Sequence, residues 1–189
     1  MTPVTPQLVL RLAVLGIVTV VIQVSAVSQI QVFGVNADLS PLVMAAVGLL
    51  IGALPGACLG FCLGLFLDLA LVQTVGLSSL LYVVIGYWAG RLRELRDPEG
   101  ALLPIAAGAV ATAIATVGFS LMQFLLGVDA PVSVLLVRQI LLTIVLNAII
   151  AAPVYAVVRR WLTPALPEDP RRRRRRAYTT GGLSPLSRA

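Results

Sequence analysis

Six long apolar runs, set apart by glycine, proline or small polar clusters, take up most of this 189-residue chain. About 20 apolar residues suffice to carry a helix across the roughly 30 Å hydrocarbon layer of a bilayer. A single soluble core has no room for six such runs. They fall at about 8 to 28, 40 to 54, 56 to 73, 76 to 90, 101 to 126 and 132 to 158. The expectation is an all-α, polytopic membrane domain of six transmembrane helices over residues 1 to 161. Composition agrees, because 59% hydrophobic against 12% charged residues leaves too little polar surface for water to be the main solvent. What remains is short loops and a tail, which excludes a separate soluble catalytic domain.

Two breaks shape the middle of the chain. Pro55-Gly56 interrupts what would otherwise be one very long run, and Gly76 opens a new one after Gln73-Thr74. Helices 2 to 4 are therefore a short-looped set. The first run has a second reading as a signal peptide, with Ala26 and Ser28 as small residues at a cleavage position. Against that, no basic cluster precedes Arg11, and the stretch is longer than a usual signal core.

All fourteen basic residues are Arg, there is no His, and the formal charge is +6. Such a balance would fit nucleic acid if the charges were spread over one surface. They instead flank apolar segments or gather in the tail, which fits bilayer topology and leaves no nucleic-acid partner. Arg91, Arg93, Arg96, Arg159 and Arg160 fall on the same side as both termini of a six-helix chain, whereas the opposite loops hold Asp38 and Asp129 and no Arg. An excess of basic residues marks the cytoplasmic side, so both termini are expected in the cytoplasm. Residues 162 to 189 are rich in Pro and Arg and are expected to be disordered. The run Arg171, Arg172, Arg173, Arg174, Arg175 and Arg176 either attracts anionic lipid, at about 1 kcal/mol per basic residue near the surface, or simply enforces topology.

Inside a bilayer the hydrophobic effect does not press helix against helix, so small residues and interhelical hydrogen bonds must do so. Both are written at four-residue spacing. Gly52, Gly56, Gly60 and Gly64 form one row, and Ser78, Tyr82, Gly86 and Gly90 a second. Gly108, Thr112, Thr116 and Ser120 make a third, and Gln139, Thr143, Asn147 and Ala151 a fourth. Each row is a slowly winding ridge on one side of a helix, suited either to packing within the bundle or to a partner's helix. Cys58 and Cys62 are read as small apolar core residues. Four apart on one helix, they neither form a structural disulfide nor, without His, a metal site.

Asp68 continues the glycine series of helix 3. A carboxylate at depth costs roughly 2.5 to 3.5 kcal/mol on insertion scales and needs a partner. Arg138, at similar depth in helix 6, is the expected one, within a polar cluster of Asp68, Arg138, Gln139 and Asn147. A proton or ion site and simple reach to the outer interface are the other readings of Asp68. Arg11 is read as reaching the headgroups from the start of helix 1. No paired membrane carboxylates, nucleophile elbow or phosphate-cradling loop with a Lys is present. The expectation is a chain without cofactor or catalytic residues, not an enzyme.

The series Gly56, Gly60, Phe61, Gly64, Leu65 and Asp68, followed by Gly76, Tyr82, Gly86, Tyr87 and Gly90, resembles the bacterial rod shape-determining protein MreD family over residues 38 to 90. The resemblance implies a fold similar to the substrate-binding subunits of energy-coupling-factor transporters. It also implies a non-catalytic scaffold of the cell-elongation machinery in the bacterial cytoplasmic membrane. Its implied partners are MreC, RodA, a class B penicillin-binding transpeptidase and, indirectly, the MreB filament, through which it would help organise peptidoglycan synthesis and cell shape. Gly56, Gly60, Phe61, Gly64, Asp68, Gly76, Gly86 and Gly90 are then the candidate packing or partner-interface residues. The rival expectation is a solute-binding subunit of an energy-coupling-factor type uptake transporter. That role needs an outward pocket with convergent polar groups, to which Asp68, Arg138 and Gln139 would contribute. It also needs an Ala-x-x-x-Ala surface on helix 1, where only Ala13 and Ala26 occur.

Overall fold

The computed structural model of the chain describes residues 5–27, 31–32, 35–72, 74–95, 102–127 and 134–165. Six helices follow in order: α1 (Pro6–Ile22), α2 (Leu39–Ile51), α3 (Ala53–Ala70), α4 (Leu77–Leu95), α5 (Leu102–Leu125) and α6 (Val134–Leu162). A wider π turn at Gln23–Val27 prolongs α1, and Thr163–Ala165 adds a 3₁₀ turn to α6. Before α2, the two-residue strands β1 (Gln31–Val32) and β2 (Val35–Asn36) pair antiparallel. Four stretches, Pro6–Ser25, Ala53–Ala70, Leu102–Leu125 and Val134–Ala165, are long and apolar enough to cross a membrane by length and composition. The protein is all-helical in class and membrane-embedded. The 13-residue α2 is only about 20 Å long, and α4 ends in a turn carrying Arg91 and Arg93; neither belongs to those four.

A helix that is apolar on every side belongs inside a bundle, and α2 takes that place. Every residue from Ser40 to Ile51 is buried, packed by the five other helices. The peripheral α1 buries only Leu8, Leu12 and Thr19 and turns Leu10, Ile17 and Val21 outward, a face that lipid tails solvate without penalty.

The break between α2 and α3 falls at Gly52, three residues before the expected Pro55. Gly52 has φ +119°, a region L side chains rarely adopt. Pro55 sits in the first turn of α3, where its missing N–H would have had no helical acceptor. At their far ends α4 and α6 run on to Leu95 and Leu162, past the expected 90 and 158.

The glycine row of α3 meets α4 within the same chain. A Cβ on Gly56 would stand 2.7 Å from the Gly86 carbonyl oxygen. One on Gly60 would strike the Tyr82 carbonyl, one on Gly64 the Ser79 backbone, and one on Gly90 the Ala53 backbone. The two backbones thus touch along the whole seam, and Ser79 Oγ donates across it to the Phe61 carbonyl at 3.2 Å.

Arg11 does more than reach for headgroups. Its Nη1 donates to the Trp161 carbonyl at 2.7 Å, Trp161 Nε1 donates back to the Arg11 carbonyl at 3.4 Å, and the guanidinium lies 5.9 Å from the indole centroid. This couples the start of α1 to the end of α6, where a cation also meets the negative end of the helix dipole. Arg93 and Arg159 both lie within electrostatic reach of Tyr155, so Arg11, Arg93 and Arg159 gather at one end of the bundle, while Arg138 lies near the other end of α6.

Candidate functional site

Asp68 is fully buried, and its partners are backbone amides. Gly76 N–H donates to Oδ2 at 2.8 Å, and Ser78 N–H lies 3.3 Å from both carboxylate oxygens. The first amides of a helix have no partner within it, and α4 starts at Leu77 behind a glycine that carries no capping side chain. Asp68 supplies that cap from the preceding helix, and its negative charge is favoured at the positive end of the α4 dipole. Gly76 has φ +98°, the turn that aims its N–H at the carboxylate. The expected Asp68–Arg138 pair is not formed. Arg138 is on the exposed side of α6, while the buried carboxylate is already satisfied.

The amino end of α2 is held in a similar way by three different side chains. Asp38 N–H donates to Asn147 Oδ1 at 3.2 Å, Leu39 N–H to Gln23 Oε1 at 2.9 Å, and Ser40 N–H to Asp38 Oδ1 at 3.1 Å. Pro41 brings no N–H. Asn147 Nδ2 donates in turn to the Asp38 carbonyl at 2.9 Å and to Thr112 Oγ1 at 3.1 Å. One fully buried amide therefore joins α5 and α6 to a loop 109 residues away. The expected cluster of Asp68, Arg138, Gln139 and Asn147 is thus divided. Asp68 and Asn147 each cap a different helix, Arg138 is outside, and Gln139 belongs to the cavity described next.

The third and fourth ridges face one another with antiparallel register. Toward the basic end they touch: a Cβ on Gly108 would lie 2.5 Å from that of Ala151, and Thr112 meets Asn147. Toward the other end they part, and Thr116, Ser120, Gln139 and Thr143 line a cavity of about 360 Å³. Ser78 and Tyr82 of α4 form another wall, with Gln23, Asp38 and Gln123 completing the polar lining. Leu67, Leu81, Phe119 and Ile140 supply apolar surface. The volume falls in the range of small-ligand sites, which combine apolar walls with a few placed polar groups. Thr116, Ser120 and Thr143 hydroxyls bond back to the carbonyls four residues earlier, which leaves their lone pairs available to an occupant.

Asp38 is the only ionisable carboxylate among the lining residues. Burial pushes it up to about 6, against the lowering effect of the amide hydrogen bond it accepts from Ser40. The Ser40 hydroxyl, fully buried beside it, is the one buried side-chain polar atom without a partner among the described residues.

The remaining expected residues separate cleanly. Gly56, Gly60, Gly64, Gly86 and Gly90 are internal packing positions, while Phe61 is exposed on α3. Cys58 and Cys62 are free thiols on the exposed side of α3 and not core residues, since two residues beyond a seam glycine is about 200° around the helix. Among the described residues no group of three metal-ligating side chains gathers. The Arg171 to Arg176 run, Arg96, Asp129 and the 166–189 tail lie outside the described residues. Gln23, Gln123 and Tyr82 were not singled out as a site; only their convergence from three helices reveals one. Neither a family model, nor a curated protein, nor a solved structure matches this chain.

Proposed function

We propose that this protein is a non-catalytic membrane scaffold of the MreD kind. In this reading all six helices cross the bacterial cytoplasmic membrane, both termini are cytoplasmic, and the fold is similar to the substrate-binding subunits of energy-coupling-factor transporters. It binds MreC and, with RodA and a class B penicillin-binding transpeptidase, organises peptidoglycan synthesis under the MreB filament. The tail would meet anionic lipid. The observation that carries the reading is that the residues of the resemblance act as one physical unit. Gly56, Gly60, Gly64, Gly86 and Gly90 form a single backbone seam, and Asp68 and Gly76 close its end. The gathering of Arg11, Arg93 and Arg159 at one end supports the orientation, which turns the cavity outward. With the seam occupied internally, the cavity is the place where a partner segment docks.

The cavity also favours a second reading, a solute-binding subunit of an uptake transporter, because its polar lining is of the kind that role needs. Affinity capture of the tagged chain from gently solubilised native membranes separates the two. Recovery of MreC and wall-synthesis proteins, lost on Ser120→Trp, which fills the cavity, supports the scaffold. Recovery of an ATPase module in their place overturns it.

A further inference from the structure

The occupant of the cavity has a charge preference that its lining dictates. Among the lining residues there is one carboxylate, Asp38, and no Arg; the remaining polar groups are amides and hydroxyls. The cations of the described chain lie elsewhere. Arg11, Arg93 and Arg159 are at the opposite end, and Arg138, at the cavity's own end, is on the exposed side of α6 and not in the lining. Asp38 Oδ1 already accepts the Ser40 amide, and the Ser40 hydroxyl beside it has no hydrogen-bond partner among the described residues. An anion entering here would meet a like charge with no counter-ion, in surroundings that screen poorly. A cation would meet an unpaired carboxylate, with the carbonyl oxygens of Gln123 and Gln139 and the hydroxyl of Ser120 to complete its shell.

We propose that the cavity is a cation site, taking a primary ammonium or guanidinium group held by the Asp38 carboxylate. This rests on the reading of the cavity as a docking place, and it adds the chemistry of what docks: a Lys or Arg side chain of a partner segment, or a small amine. Phosphate and pyrophosphate groups are rejected.

The test is the charge selectivity of a thiol placed inside the cavity. The full chain, with Cys58→Ala and Cys62→Ala, receives Ser120→Cys and is treated with aminoethyl or sulfonatoethyl methanethiosulfonate. A carboxylate in a confined cleft raises the local concentration of cations, so the aminoethyl reagent should react roughly tenfold or more faster than the sulfonatoethyl one, after division by their ratio on a free thiol. Asp38→Asn, which keeps a capping side chain, should return the ratio to the free-thiol value, and Asp38→Glu should restore it. A free-thiol ratio indifferent to Asp38→Asn overturns the cation site while leaving the cavity standing. Failure of both reagents to reach the thiol overturns the cavity reading itself. The sources are then told apart. A thiol shielded in native membranes and freed on purification identifies a partner's side chain, whereas one open in washed membranes but slowed by n-butylammonium identifies a small amine.

Discussion

The α3–α4 seam and the α5–α6 pair begin from the same device, a ridge of small residues every fourth position, and end in opposite states. Along α3 and α4 the ridges are mostly glycine, so backbone meets backbone from Gly64 to Gly90 and nothing is left between. Along α5 and α6 the lower steps close, Gly108 by direct contact with Ala151 and Thr112 by its hydrogen bond from Asn147. The upper steps carry Thr116, Ser120, Gln139 and Thr143, and the helices part around a polar cavity. A glycine row lets two backbones meet along its whole length, whereas polar side chains on both facing ridges leave room between the helices where they do not bond to one another. One region is closed by packing, and the other encloses a polar cavity.

The largest expected effect comes from forcing side chains into each region. Gly60→Leu should cost more than about 4 kcal/mol, since the carbonyl it strikes belongs to a rigid helix, and should leave no folded protein in a denaturant titration. Ser120→Leu, which fills space, should change stability by less than about 1 kcal/mol; equal damage from both would erase the contrast. Next is Asn147→Ala, which removes the partner of both the Asp38 amide and the Asp38 carbonyl and should cost about 3 kcal/mol in the same assay. Asp68→Asn keeps the shape but removes the charge facing two amides, and a loss of about 2 kcal/mol is expected. Arg138→Gln should add nothing to it, and a non-additive double mutant would revive the ion pair.

A further effect comes from pH. Asp38 is held near 6 in the folded chain against an ordinary 3.8, so between those values the folded state binds the extra proton. Stability should therefore fall as pH rises from about 4 to about 6 and level off above. The group that opposes the effect of burial is Ser40, whose amide donates to the carboxylate; Asp38→Asn should flatten the slope. The smallest effect is expected at Arg11→Gln, about 1 kcal/mol, from loss of the Trp161 contacts at the basic end.

The number and order of helices were legible because apolar length and glycine spacing report directly on bilayer packing. The ridges were legible as ridges, but which would close was not, since that depends on pairing Gly86 with Gly56 and Thr116 with the α6 row. The break was misplaced from Gly52 to Pro55 because proline interrupts a helix interior but suits its first turn. Asp68 was rightly marked as needing a partner. The partner was hidden because it is backbone, and every residue but proline carries an N–H. The outward position of Cys58 and Cys62 did follow from their angle to the glycine row, a signal present in the sequence and not used. Asp38, Gln23 and Gln123 come from three separate segments, and no local pattern connects them.

The central claim is that the cavity, and not the outer face of α3, is where a partner docks. Photo-reactive amino acids at Ser120 and Gln139, and separately at Phe61 and Phe66, test it by ultraviolet crosslinking in native membranes. The account predicts crosslinks to a partner protein from positions 120 and 139 and only lipid adducts from 61 and 66. Partner crosslinks confined to Phe61 and Phe66, with the cavity positions silent, would contradict it.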